Sequence, residues 1–186
     1  MKLSRAIRIV FILAVATYPF IIFFGIQVLP PSFLGLMLLM LLTMRYGVLL
    51  PKERQMLLPL LLLFFVYAIA ATLVRSTEML LYYPALVNFS LLVIFAASLR
   101  RGEPLLLRIV RARGVTISRY GPAYLYRLTM VWAGFFAVNG LVSMWTVALS
   151  IEVWTLYNGL ISYALIAALV GGEYVFRGYY KRRMGV

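Results

Sequence analysis

The chain has 186 residues, 65% of them hydrophobic, and carries 18 Lys+Arg against five acids, a net charge of +13. Soluble globular domains are only about 45–50% apolar, so the surplus has to face lipid and an ordinary water-soluble domain is excluded. Cysteine and histidine are absent and all five acids are glutamates; this removes disulfides, thiol chemistry, imidazole bases and the usual zinc sites.

A membrane-spanning helix needs about 20 mostly apolar residues. The first predicted span is 6–29, after a basic start (Lys2, Arg5, Arg8). It is longer than a signal-peptide core and has no small-x-small cleavage pattern before Pro30, so it reads as a retained helix. Pro19 predicts a kink that neighbouring helices must compensate. Pro30-Pro31 breaks the chain and suits the first turn of the next helix. That second span, 31–50, reaches full length only if Arg45 snorkels to the surface. Pro51-Lys52-Glu53-Arg54 is a polar turn.

The third span is 56–74, with Pro59 in its first turn. After the turn Arg75-Ser76-Thr77-Glu78 comes the fourth span, 79–99. The stretch Arg100–Arg127 follows, with seven arginines (100, 101, 108, 111, 113, 119, 127) and one acid, Glu103. An arginine at a bilayer centre costs about 2.5–3.5 kcal/mol or more, so this stretch stays on one side. Within it, Pro104–Arg113 predicts a short amphipathic helix: Leu105, Leu106, Ile109 and Val110 alternate with Arg108, Arg111 and Arg113. Gly114 is its stop. Such a segment lies in the headgroup region, leucines down and arginines up. The fifth span is 125–149, the sixth 153–174, and the tail from Arg177 to Arg183 is basic.

The expected fold is therefore all-α: a polytopic membrane protein of six transmembrane helices, with a short amphipathic helix between helices four and five. It forms a single integral membrane domain over 1–186. Sorting the basic residues by side tests this map. Three at the N-terminus, three in the second loop, seven in the long loop and four in the tail put 17 of the 18 on one face, leaving Arg75 alone on the other. That is the positive-inside pattern. It predicts six spans with both termini on the cytoplasmic side.

Several stretches resemble the intracellular septation protein A family of bacterial inner-membrane proteins. They are Tyr18-Pro19-Phe20-Ile21-Ile22-Phe23-Phe24, then Glu103-Pro104-Leu105, then Trp132-Ala133-Gly134-Phe135-Phe136-Ala137-Val138-Asn139-Gly140. Trp154 follows about twenty residues on, and Tyr174, Tyr179 and Tyr180 close a tyrosine-rich basic end. The stretch Leu156–Tyr163 and the pair Glu173-Tyr174 are closer to a sister group of membrane proteins. Some of those are similar to proteins encoded beside aryl-polyene lipid biosynthesis genes. The resemblance implies an envelope-maintenance protein that acts through other membrane proteins, with no assigned reaction.

The residues that could carry chemistry are few. Asn139, Ser143, Thr146 and Ser150 share one face of the fifth helix. They read either as a polar track for a headgroup or as a packing face, since small and hydroxyl residues let membrane helices approach. Asn158 and Ser162 continue the track on the sixth helix or sit in an interfacial aromatic belt with Trp154 and Tyr157. Glu173 is a proton-coupling candidate or the acid of a helical ion pair with Arg177. Asn88 and Asn139 fall at similar depth on neighbouring helices, where lipid offers no hydrogen bond. We expect them to meet, or each to cap a backbone carbonyl, and so to lock the three C-terminal helices together. Arg100, Arg101, Arg108, Arg111 and Arg113 are candidate contacts for anionic lipid.

No serine elbow, paired carboxylates or metal cluster is visible, so the reading is non-catalytic, with no cofactor. No phosphate cradle or base-reading motif supports nucleic acid. The partners are anionic inner-leaflet lipid and other inner-membrane envelope proteins; a homo-oligomer stays open. The function expected is structural or interaction-based. The alternative is a transporter or flippase component for a lipid-linked product such as an aryl-polyene lipid.

Overall fold

The computed structural model describes residues 77–100, 102–112, 114 and 121–184, with isolated helical positions within 23–25 and 62–74. Most of the first and third predicted spans, all of the second, and Arg101 and Arg113 lie outside the described residues. Those described are helical apart from short turns, and no strand occurs among them. In chain order the helices are α1 (Thr77–Leu81), α2 (Tyr83–Arg100), α3 (Leu105–Ala112), α4 (Gly121–Thr146), α5 (Ile151–Leu156) and α6 (Ser162–Met184). A π-turn, Tyr157–Ile161, lies between α5 and α6. Among the described residues, three stretches are long and apolar enough to cross a membrane: Tyr83–Arg100, Gly121–Thr146 and Ile151–Tyr179. Much of their apolar surface faces outward, including Val93, Val131, Val138, Leu141, Leu160 and Val170. A water-exposed protein avoids such continuous apolar surface.

Contacts divide the chain into two units, Met1–Tyr83 with Thr146–Gly159, and Pro84–Trp145 with Leu160–Val186. In the first unit, the predicted span 79–99 begins with a break at Tyr82. Proline lacks the amide that would continue the helix and its ring crowds the preceding turn, so Pro84 starts α2 afresh. The carbonyls freed by the break find partners. Met79 accepts from the Tyr82 amide at 3.1 Å and from the Tyr67 hydroxyl; Leu81 accepts from the Trp154 indole at 2.9 Å. Broken helices persist in membranes on this condition. Trp154 is fully buried, so it is a core anchor rather than the belt residue expected from its position.

The second unit holds α3, α6 and all but one terminal residue each of α2 and α4. Asn88 bonds Asn139 while Phe95 meets Phe136 edge-on at 5.2 Å, so α2 and α4 run antiparallel. Asn139 bonds Ser162 while Tyr124 bonds Glu173, so α4 and α6 do too. Arg100, Arg127 and Arg177 consequently gather at one end of the unit. Arg127 is not in the connecting loop, as expected, but on the second turn of α4. Pro122 suits the first turn, which starts the helix at Gly121, and Arg127 is long enough to reach the surface. The sixth helix likewise runs on through the basic tail to Met184.

α3 forms where the sequence places it. Its entry and exit both use glycine in the left-handed region: Gly102 (φ 79°) ends α2 and Gly114 (φ 70°) ends α3, each amide bonding back to Leu99 and Arg111 respectively. Arg108 and Arg111 are exposed, but the buried side chains are Leu105 and Leu107. Leu106, Ile109 and Val110 form a second stripe that stays partly open. The start of α3 is capped from a distance. The buried Ser98 hydroxyl donates to the Phe95 carbonyl at 2.6 Å and accepts from the Leu105 amide at 3.0 Å. Replacing a capping hydroxyl costs about 1 kcal/mol. We therefore expect Ser98→Ala to speed hydrogen exchange over 105–108 several-fold while α2 is unchanged; equal protection in the variant would remove Ser98 as the cap. The Glu103–Arg111 ion pair, 2.9 Å apart, is exposed on both sides and contributes at most about 1 kcal/mol.

Candidate functional site

Bringing α2, α4 and α6 together requires that their few polar side chains be satisfied inside the unit, because hydrocarbon offers no partner. Asn139, 2% exposed, sits at the junction. Its amide nitrogen donates to Asn88 Oδ1 at 3.0 Å and to Ser162 Oγ at 2.9 Å. Asn88 in turn donates to the Pro84 carbonyl at 2.8 Å, one turn back along α2. Both sequence alternatives for this pair are realised at once: the asparagines meet, and one caps a carbonyl. Ser162 adds the third helix. Asn88 lies toward the start of α2 and Asn139 toward the end of α4, the same level in antiparallel helices.

Backbone closeness makes the network possible. A Cβ on Gly140 would stand 3.0 Å from the Phe89 ring and 3.1 Å from Asn88 Cβ, so only glycine lets α4 come this near to α2. On the other side of the network an aromatic cluster of Phe95, Trp132, Phe135 and Phe136, with centroids 5.2–5.8 Å apart, fills the space.

The remaining candidates separate. Ser143 and Thr146 are buried along α4. Ser150 has left that face: it is exposed and caps α5, its hydroxyl accepting from the Val153 amide at 3.4 Å. Asn158 belongs to the first unit, where its amide donates to Thr146 Oγ1 at 3.1 Å and to the Trp154 carbonyl at 2.9 Å. Thr146 and Asn139 both belong to the polar face of α4, so Asn158 and Ser162 each extend that track. Among the described residues, Asn158 Oδ1 and Thr155 Oγ1 are buried without a partner.

Glu173 sits at the basic end of the second unit. Its carboxylate accepts from the Tyr124 hydroxyl at 2.9 Å and lies 3.7 Å from Arg177, the i,i+4 pair anticipated from the sequence. Arg177 also rests over the Tyr174 ring at 5.6 Å. A cleft of about 310 Å³ opens beside Glu173, lined by Tyr124, Arg127, Leu128, Val131 and the facing residues of α6. Sequence reading missed this cleft, because nothing in an apolar run marks which residues leave a gap. Gly171-Gly172 was the available signal. Among the described residues no group of three or more metal-ligating side chains occurs.

Among the described residues, the fold and site define an all-helical protein with three membrane-compatible helices and a hydrogen-bonded polar network between them. No protein-family model, no curated protein and no solved structure matches the chain.

Proposed function

We propose that this chain is a six-span bacterial inner-membrane protein, both termini cytoplasmic, that serves as a non-catalytic structural or interaction component of the envelope. The observation that carries this reading is the use made of the buried asparagines. Asn88, Asn139 and Ser162 bond one another within a close-packed helix junction. Polar groups that line a transport path would face water instead. The resemblance to the septation protein A family, and to its sister group, supplies the envelope assignment. The gathering of Arg100, Arg127 and Arg177 at one end supports the orientation, with the arginine-rich stretch at the anionic cytoplasmic leaflet. Arg108 and Arg111 of α3 are poised for the same surface. Other inner-membrane envelope proteins are the partners.

Two experiments test this. Crosslinking in native membranes followed by mass spectrometry should recover defined envelope proteins; recovery of lipid-linked substrate with no protein neighbour would favour the transporter alternative. For topology, Thr116→Cys introduces the only thiol in the chain. It should react with an impermeant maleimide only after the inner membrane is opened, and labelling from the periplasm would sink the orientation.

A further inference from the structure

The cleft at the basic end has a shape and charge of its own. Leu128 and Val131 of α4 face Ala168, Leu169 and Gly172 of α6, an aliphatic trough within a mostly apolar lining. Its end wall is fixed. The Tyr124 ring stacks on Phe176 with centroids 6.3 Å apart and planes 12° from parallel, and the Tyr124 hydroxyl holds Glu173 at 2.9 Å. The two helices are thus tied at the mouth, and the cleft is preformed. At about 310 Å³ it is at the small end of ligand sites, ~300–1,000 Å³. A built Cβ on Gly172 meets nothing within 4 Å, so the glycine leaves open space rather than admitting a neighbouring backbone.

Charge selects the occupant. Glu173 is already offset by Arg177. Arg127, also at the cleft, is exposed, and among the described residues no carboxylate lies within ion-pair distance of it. The site therefore joins an apolar trough to one free cation near a helix end, the depth at which a phosphate sits above an acyl chain. We propose that this cleft is a discrete site for one anionic phospholipid, with a chain along Leu128, Val131, Leu169 and Gly172 and the phosphate on Arg127. The inference rests on the membrane reading but not on the scaffold role. A bulk headgroup contact of the arginine stretch would not need a cleft.

The test is native mass spectrometry of the full chain released from nanodiscs of phosphatidylglycerol and phosphatidylethanolamine in equal amounts. The protein should retain one phosphatidylglycerol, favoured roughly fivefold, the worth of one basic side chain at an anionic surface. Gly172→Leu fills the trough without meeting protein and should abolish retention. Gly134→Leu is the control: Gly134 is exposed on α4 with nothing within 4 Å of a built Cβ and does not line the cleft, so retention should be unchanged. Arg127→Gln should keep a bound lipid but lose the headgroup preference. Retention by Gly172→Leu equal to the parent, or no headgroup preference in the parent, would overturn the site while leaving the scaffold reading intact. A parent chain that does not enter nanodiscs would overturn the membrane reading as well.

Discussion

Gly140→Leu should cost about 3 kcal/mol, the upper part of the usual range for overpacking a close contact, and should separate α2 from α4. The built Cβ already stands 3.0 Å from Phe89 Cε1 and 3.1 Å from Asn88 Cβ. The phenyl ring edge can turn aside. Asn88 cannot, because its side chain is held at one end by Asn139 and at the other by the Pro84 carbonyl. For the same reason Gly140→Ala should lose stability, by about 1 kcal/mol, although alanine is favoured over glycine in a helix interior by a similar amount. Gly134→Leu on the same helix should be neutral or slightly stabilising. The measurement is the midpoint of denaturation in bicelles titrated with SDS. If Gly140→Leu and Gly134→Leu proved equal, the close approach of α2 and α4 would be wrong.

How much of this was legible in the sequence follows from one physical fact: a membrane helix is apolar on its buried and its lipid-facing sides alike, so periodicity carries little information about which face packs. Where polar residues punctuate the run, the reading succeeded. Asn88 and Asn139 could be matched by depth, Glu173 with Arg177 by helical spacing, and α3 by its alternation and by Gly114. Where the determinant was apolar or remote, it failed. Trp154 has the look of an interfacial residue, and only the carbonyl exposed by the Pro84 break explains why it turns inward to Leu81. Ser98 caps a helix that begins seven residues later, a contact that no local capping pattern encodes. The π-turn at Tyr157–Ile161 has no signal in the sequence, yet Asn158 and Ser162 still reach Thr146 and Asn139 on α4. The orphaned Asn158 and Thr155 oxygens have no account among the described residues.

Asn139→Leu should weaken the α2–α4–α6 junction without preventing insertion. Asn139 donates side-chain bonds to Asn88 and to Ser162. Each such bond in a membrane averages only ~0.6 kcal/mol and reaches ~1.7 at most, because the inserted but unpacked helices also find partners. For these two bonds the expected loss is about 1 kcal/mol at the average and reaches the roughly 3 kcal/mol of the Gly140 clash only if both are near that maximum. Removing one partner leaves Asn88 Oδ1 buried and unpaired, and that desolvation is part of the loss. Asn88→Leu on top of Asn139→Leu should then cost less than the two single changes added together, a positive coupling on a double-mutant cycle. Additive losses would mean that the two asparagines do not share a bond in the folded protein. The same position also separates the two functional readings. Asn139→Cys in an assembled, membrane-embedded chain should resist small aqueous thiol reagents, since Asn139 is 2% exposed. Rapid labelling there would mean water reaches the junction, and the polar side chains would then be facing a path through the membrane instead of one another.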